Sequence, residues 1–197
     1  MAELIEFETK RLRLRQWRES DLEPFAAINA DPQVMKFFPK PLERRESDEM
    51  ADKIRSLIEL RGWGFWAVEV KGGEPFIGFV GLHVPAPALP FSPCVEVGWR
   101  LSVTHWGRGY ASEAAHGALQ IAFLRLGLPE VVAFTTVGNQ RSRRVMERLG
   151  MQYSREFEHP DMHDDSMLRP HVLYRLHAAC FRKAASRQEI EEKGKRA

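Results

Sequence analysis

The stretch Trp106-Gly107-Arg108-Gly109-Tyr110-Ala111-Ser112-Glu113-Ala114 decides the fold. It connects a predicted strand over 94–101 to a predicted helix that begins near Gly109. Glycines at 107 and 109 permit close approach of a ligand and unusual backbone dihedrals. A helix N-terminus has unpaired N–H groups and a partial positive charge, so it favours a bound anion. Taken alone, a Gly-x-Gly turn is equally typical of an ordinary strand–helix connection.

The helix that follows presents small side chains along one face, at Ala111, Ala114, Ala115, Ala118, Leu119 and Ala122. Such a face can pack closely against a sheet. The next predicted strand, 131–137, is rich in β-branched residues, and a helix over 139–150 ends at a glycine in the C-cap position. Strand, helix and strand in this order predict one parallel pair, because the helix crosses over between the two strands.

Over the whole chain, the pattern predicts an α/β domain with one mixed, mostly antiparallel twisted sheet. About seven strands are expected, at 11–17, 65–70, 76–82, 94–101, 131–137, 151–157 and 172–176. About four helices flank them, beginning at Ser20, over 43–61, from Gly109 and over 139–150. We expect one domain over 1–180 and a charged tail or helix extension over 181–197.

Composition excludes several classes of protein. The 197 residues suffice for one ordinary domain, and 44% hydrophobic with 28% charged residues is a globular composition. No apolar run approaches the roughly 20 residues that span a bilayer, and the acidic N-terminus does not resemble a signal peptide. Two cysteines imply no disulfide framework, and a net charge of +2 does not argue for nucleic acid. We therefore expect a cytoplasmic protein with neither a membrane nor a nucleic-acid partner.

A second basic helix start follows the strand at 131–137, in Asn139-Gln140-Arg141-Ser142-Arg143-Arg144. Asn139 by itself is explained as an N-cap. The arginines are harder to explain, because the helix dipole disfavours cations in the first turn by about 0.3–1 kcal/mol each. A phosphate-bearing ligand would reverse that sign. Two basic helix starts after adjacent parallel strands therefore indicate one polyanionic ligand at this edge of the sheet.

Three segments in the same order carry a family resemblance. They are Glu96-Val97-Gly98-Trp99, the stretch from Trp106 to Ala114, and Asn139-Gln140-Arg141-Ser142 with Glu147 and Leu149-Gly150-Met151. With the opening Thr9-Lys10-Arg11-Leu12-Arg13-Leu14-Arg15, they resemble the GNAT acetyltransferase superfamily, and its RimJ/RimL-type branch in particular. The resemblance covers about residues 8–177, and three ordered motifs at these separations are highly specific.

The resemblance implies that acetyl-CoA is the co-substrate and that a splayed parallel strand pair holds it. Backbone amides from Gly107 to Ser112 would bind its pyrophosphate, and the strand at Trp99–Leu101 would pair with its pantetheine arm. The implied coenzyme contacts are Trp99, Leu101, Trp106, Gly107, Arg108, Gly109, Tyr110, Ala111, Ser112, Asn139, Ser142 and Arg144.

The catalytic roles also come from the resemblance. An amine acceptor arrives protonated, so a base is needed, and Glu96 resembles the strand carboxylate that serves in several GNAT enzymes. A carboxylate after the following strands, Glu158 or Asp161, is the alternative base. Many GNAT enzymes place a tyrosine on the second of these helices to protonate the thiolate. Met146 occupies that position, so Ser142 is the candidate acid.

Other interpretations of single residues are weaker. His159, Asp161, His163, Asp164, Asp165 and His171 match no standard zinc spacing, so we expect a polar loop on the substrate side and no metal. Cys94 could act as a nucleophile, but free strand cysteines are usually packing residues.

The acceptor that the resemblance favours is a protein or peptide N-terminal amine, acetylated by direct transfer in a ternary complex. A small-molecule amine such as an aminoglycoside or a polyamine is the alternative. A non-catalytic acyl-CoA-binding module is the rival from another class, and Glu96 argues against it. A nucleotide-binding protein is weaker still, since the chain has no Gly-x-x-x-x-Gly-Lys-Ser/Thr segment. The sequence leaves a homodimer open.

Overall fold

Eight strands form one sheet in the computed structural model, which describes residues 2–85, 88–163 and 166–183. In chain order they are β1 (Phe7–Glu8), β2 (Leu12–Arg15), β3 (Phe65–Val70), β4 (Gly78–His83), β5 (Glu96–Leu101), β6 (Glu130–Thr136), β7 (Gln152–Glu158) and β8 (Pro170–His177). Their spatial order is β1-β2-β3-β4-β5-β6-β8-β7, and every pair is antiparallel except β5–β6. The predicted mixed sheet is confirmed, with one short additional strand, β1.

Within the described residues, five helices flank the sheet. They are α1 (Leu22–Ala30), α2 (Arg44–Arg61), α3 (Tyr110–Gln120), α4 (Gln140–Arg148) and α5 over 178–183. A π-helical turn, Ile121–Arg125, continues α3. The first helix begins later than Ser20, because a short 3₁₀ turn, Glu19–Asp21, precedes it. Of the predicted tail over 181–197, residues 184–197 lie outside the described residues, and the domain boundary near 180 stays a prediction.

The helices bury the two faces of the sheet in separate clusters. On one face, Ala114, Ala115, Ala118 and Leu119 of α3 are fully buried, as the small-residue pattern predicts. Gly117 lets the helix approach still closer, since a Cβ there would lie 2.5 Å from the Phe7 ring. On the other face, α1 and α2 pack against β3 and β4. None of the helices in the described ranges is long and apolar enough to cross a bilayer.

The parallel pair is short, and it diverges. The register joins β5 and β6 at one pair of Cα partners, Glu96 and Val132, where the Val132 N–H donates to the Val95 carbonyl at 2.9 Å. Beyond this point the ladder ends, and the two strands lead to the starts of α3 and α4. The predicted splayed pair is therefore present, and we call the gap between its arms the fork.

Candidate active site

The glycine-rich turn before α3 has the backbone of an anion site. Gly107 and Gly109 both lie in the left-handed region, with φ of +74° and +79°. Gly109 is the N-cap residue of α3, and the Glu113 N–H is bonded to its carbonyl at 3.0 Å. The N–H groups of the preceding helical residues have no intrahelical acceptor, as at every helix start. The Ser112 hydroxyl, in the same turn, is buried without a hydrogen-bond partner among the described residues. This turn fits a pyrophosphate.

The β1–β2 turn holds this cradle in place. Arg11 donates from Nη1 to the Arg108 carbonyl at 3.0 Å and from Nε to Glu113 Oε2 at 2.6 Å. Its guanidinium also lies 4.7 Å from the centroid of the Tyr110 ring. The Thr9 hydroxyl donates to Glu113 Oε1 at 2.6 Å. Sequence analysis assigned no role to Arg11 or Glu113, although both lie in the segments that carry the family resemblance.

At the second helix start, Asn139 is the N-cap that the sequence predicts. Its side-chain oxygen accepts from the Ser142 N–H at 3.3 Å. Its amide nitrogen donates to Thr135 Oγ1 at 2.9 Å and to Ser142 Oγ at 3.2 Å. Because Ser142 Oγ accepts this hydrogen bond, its own proton is available to another acceptor.

Stacking links the two helix starts. The Arg141 guanidinium lies 4.3 Å from the centroid of the Trp106 ring, and Trp106 Nε1 donates to the Leu101 carbonyl at 2.8 Å. Arg143 turns away, because it donates to the Val137 carbonyl at 3.2 Å and to the Tyr174 hydroxyl at 3.4 Å. Arg144 is exposed on α4. Among the described residues, such contacts hold the side chains of Arg141 and Arg143, and none is found for Arg144.

The fork exposes backbone groups on both arms. The register gives even-numbered β5 residues the hydrogen bonds to β4, so odd-numbered residues point N–H and C=O toward β6. Past the Glu96–Val132 pair, the Trp99 groups therefore face the gap, whereas the Leu101 carbonyl is taken by Trp106. By the same alternation, the backbone N–H and C=O of Phe134 in β6 face the gap from the other side. The sequence analysis did not name Phe134, because the β6 residues whose backbone groups face β5 can be identified only when the register of the parallel pair is known.

Glu96 lies at the base of the fork, on the face opposite α3. Its Oε1 is 3.7 Å from the place a Cβ would take on Gly98, so the carboxyl group leans along β5 in the chain direction. No described residue forms an ion pair with it, and burial raises its pKa to about 8. A carboxyl group of this kind can exchange a proton near neutral pH.

The other candidate bases differ in surroundings. Glu158 is exposed and forms a 3.1 Å ion pair with Arg169, and Asp161 is exposed in the turn after β7. Of the three carboxyl groups, Glu96 is the one that lies at the base of the fork. The Cys94 thiol is half-buried, and burial together with the nearby Glu96 raises its pKa, which disfavours the thiolate that a nucleophile needs.

Met146 belongs to the core. It is 2% exposed and packs in the cluster beneath α3, so it fills space instead of facing the fork. Two of the histidines pack with aromatic rings: His159, after β7, and His171, in β8, have ring centroids 4.8 Å apart, and Phe157 lies 5.6 Å from His171. Residues 164–165 lie outside the described part. Within that part, no group of three His, Cys, Asp or Glu side chains could hold a metal.

Known proteins with a similar sequence indicate the family to which this chain belongs. A family model described as an acetyltransferase (GNAT) domain matches residues 11–152. The uncharacterized protein YkkB of Bacillus subtilis is 31% identical over 148 residues, which cover 75% of this chain and 85% of YkkB. The FsC-acetyl coenzyme A-N(2)-transacetylase of Aspergillus fumigatus is 32% identical over 156 residues, which cover 76% of this chain and 66% of that protein.

Solved structures share the fold. A GNAT-family acetyltransferase from Bacillus anthracis superposes with a TM-score of 0.75 at 23% identity, covering 89% of this chain and 99% of that one. RimL, a ribosomal L7/L12 alpha-N-protein acetyltransferase in complex with coenzyme A, superposes with a TM-score of 0.69 at 17% identity, with coverage of 89% and 99%. The chain therefore belongs to the GNAT acetyltransferase family and is an acetyl-CoA-dependent N-acetyltransferase.

Proposed function

We propose that the protein acetylates the α-amine of a protein or peptide N-terminus, by direct transfer in a ternary complex, with Glu96 as the general base. The observation that carries this proposal is the position of the Glu96 carboxyl group, which lies at the base of the fork and has no ion-pair partner among the described residues. Burial raises the pKa of this group to about 8. An N-terminal α-amine has a pKa of about 7.7–8.0, and a lysine or polyamine amine lies above 10. A base is most effective when its pKa is near that of the group it deprotonates and near the working pH.

The residues of the fork divide the reaction between them. Acetyl-CoA supplies the acetyl thioester, whose carbonyl carbon the neutral amine attacks. Glu96 takes the proton from the incoming ammonium, directly or through a water, so that the nitrogen lone pair can form the new C–N bond. The Trp99 N–H, on the free edge of β5, is our candidate donor to the carbonyl oxygen as negative charge develops there.

Collapse of the tetrahedral intermediate breaks the C–S bond and releases the thiolate. The second proton, which the nitrogen loses as the amide forms, balances the proton that the thiolate takes up. Departure of the thiolate needs little help, since a thiol with a pKa near 8.5 is a tolerable leaving group. Ser142 is the proposed donor, because Asn139 already donates to its oxygen and leaves its proton available. Two features support the coenzyme contacts proposed from the sequence: the cradle at Gly107–Ser112 and the unpaired backbone edge of β5 at Trp99. Leu101 is limited to its N–H, because Trp106 occupies its carbonyl.

A small-molecule amine is the second candidate acceptor. The relative from Aspergillus fumigatus, 32% identical, is named as an N(2)-transacetylase, and that name favours a non-protein amine there. A non-catalytic acyl-CoA-binding module is disfavoured, because such a module has no use for a half-buried carboxyl group at the base of the fork. Homodimer formation is a further proposal, to be tested by the mass of the protein in solution.

The test compares acceptors with purified protein and acetyl-CoA, and the rate is measured through the free thiol that each reaction releases. The panel has four acceptors. Two are peptides, one with a free N-terminus and one of the same sequence with a blocked N-terminus and one internal lysine. The other two are spermidine and kanamycin. We expect turnover of the free peptide and none of the blocked one. Turnover of spermidine or kanamycin with both peptides unreacted would contradict the proposed acceptor and leave the family assignment intact.

A further inference from the structure

A buried arginine without a counter-ion lies on the Glu96 face of β5. Arg100 is 8% exposed, and no described carboxylate forms an ion pair with it. Its Nη1 donates to the neutral Asn29 Oδ1 at 2.7 Å. Its Nε is buried and has no hydrogen-bond partner among the described residues. Burial lowers the Arg100 pKa to about 10, which reflects the unfavourable solvation of an unneutralised charge.

Arg15, the other buried arginine among the described residues, shows how this fold pairs such a charge. Arg15 is 2% exposed, and Asp21 accepts from both of its terminal nitrogens at 2.7 and 2.9 Å. Glu69 accepts from its Nε at 2.8 Å. Buried charges are retained in proteins when they are paired and hydrogen-bonded in this way. Arg100 is buried as well, but no described residue gives it an anion, so an anion from outside the described residues would complete the site.

Arg100 is covered by one partly exposed aromatic ring. The Phe38 ring covers the guanidinium at 4.3 Å from Cζ, and Phe38 is itself 38% exposed. Its neighbour Phe37 lies 3.6 Å from the place a Cβ would take on Gly138, in the turn after β6. The loop between α1 and α2 therefore runs from Arg100 on one arm of the fork to Gly138 beyond the other arm. Arg100 therefore lies on the β5 arm of the fork, beneath the loop between α1 and α2.

The spacing from Glu96 sets the size of the ligand. The two residues are four positions apart on one face of β5, so their Cα atoms are about 13 Å apart at 3.2–3.4 Å per residue. The Glu96 carboxyl group leans toward Gly98 and shortens that distance. An extended peptide advances about 3.3–3.6 Å per residue, so about three residues would cover the span.

We propose that Arg100 is the specificity residue of the acceptor site and binds a carboxylate that the acceptor carries about three residues from its reacting α-amine. This inference rests on the proposed function and adds the acceptor's charge to it. Asn29 positions the arginine, because its amide nitrogen is held by Ser47 Oγ at 2.8 Å while its oxygen receives the Arg100 donor. A polycationic amine has no group for this site.

The first test compares two substrates on the unaltered protein. The peptides are Ala-Ala-Glu-Ala-Ala-amide and Ala-Ala-Gln-Ala-Ala-amide, both with free N-termini. Hydrogen bonds to a charged partner predict a kcat/KM roughly ten-fold to a hundred-fold higher for the glutamate peptide, mainly through a lower KM. Calorimetric binding of the two acetylated product peptides, in the presence of coenzyme A, should show the same order without turnover.

The second test changes the charged side chain on the protein. Arg100→Gln should abolish the preference for the glutamate peptide, and Arg100→Lys should keep part of it. The affinity for acetyl-CoA should change by less than about two-fold, because the arginine faces the acceptor side. Arg13→Gln, an exposed arginine on β2, is the matched control and should keep the full preference.

Equal kcat/KM for the two peptides on the unaltered protein overturns the inference, whether or not Arg100→Gln folds. So does a folded Arg100→Gln that keeps the preference. A large loss of coenzyme affinity in Arg100→Gln overturns it as well, since the missing anion would then belong to the coenzyme. If neither peptide is acetylated or bound, the proposed acceptor fails, and this inference fails with it.

Discussion

Arg11 Nε lies 2.6 Å from Glu113 Oε2, and this ion pair joins the β1–β2 turn to the first turn of α3 across 102 positions of sequence. Glu113 Oε1 also accepts from the Arg11 N–H at 2.7 Å. The pair therefore fixes the backbone of the glycine-rich cradle from outside. Burial acts to raise the Glu113 pKa, but the hydrogen bonds from Thr9 and Arg11 outweigh it and hold the pKa below its usual value.

The depressed pKa of Glu113 predicts how stability depends on pH. Its contribution is present above the unfolded value of 4.5 and is lost as the pH falls through the lower folded value. We expect Glu113→Gln to cost about 1 kcal/mol at pH 7, after allowance for solvent screening of Arg11. The Tm difference from the parent should shrink as the pH falls below 4.5. A Tm difference that stays constant down to pH 3 would contradict the assignment.

Glu96→Gln tests the proposed base. We expect turnover to fall by about 10²–10⁴ with little change in coenzyme affinity. The base must be ionised, so the kcat of the parent should rise with pH through about 8 and then level off. That rise should vanish in the variant. A kcat versus pH profile on a verified acceptor provides the measurement.

Two other carboxylates supply the controls for this experiment. Glu158→Gln and Asp161→Asn alter exposed side chains after β7 and should keep most of the activity. If either variant is inactive while Glu96→Gln turns over normally, the base lies in the loop after β7, and Glu96 has another role.

Ser142→Ala tests the proposed acid. Loss of one hydrogen bond at developing charge predicts a penalty of roughly 1–3 kcal/mol, or about 5-fold to 150-fold in kcat. Ser154→Ala, an exposed serine on β7, is the matched control and should be neutral. Full kcat in Ser142→Ala would reduce this residue to a role in capping or binding.

The general fold could be predicted because each element carries its own periodic pattern. The alanine face of α3, the hairpin of β3 and β4, and the crossover between β5 and β6 were all readable from the sequence. The strand Phe7–Glu8 was not predicted, because two residues give no period. The early helix start at Ser20 was wrong, because the Asp21 carboxylate instead accepts from Arg15 and the Arg18 N–H.

The site was predictable only as far as backbone chemistry determines it. Glycines before a helix indicate an anion cradle, and Asn139 indicates a cap, because both act through local geometry. Arg100 gave no signal, since a missing counter-ion becomes visible only when the packing around the side chain is known. The stacking of Arg141 on Trp106 was hidden for the same reason, because it joins two distant segments.

Gly109→Val tests the cradle, and Gly127→Val is its matched control. Both glycines have positive φ, +79° and +65°, so a β-branched side chain should cost each variant about 1–2 kcal/mol of stability. Gly127 follows the π-helical turn at the other end of α3, far from the cradle. We therefore expect Gly109→Val to raise the Kd of acetyl-CoA at least about ten-fold, and Gly127→Val to leave it unchanged. Equal affinities in two folded variants would refute the cradle.

Calorimetric titration of the unaltered protein with acetyl-CoA tests the central claim most directly. The cradle at Gly107–Ser112, the second helix start at Asn139 and the open edge at Trp99 together predict a Kd of about 1–100 µM. A ligand that binds only the native state must also raise the Tm as its concentration increases. Saturable binding in this range, with a matching rise in Tm, is the predicted result. The absence of both a heat of binding and a Tm shift at millimolar coenzyme would contradict the account.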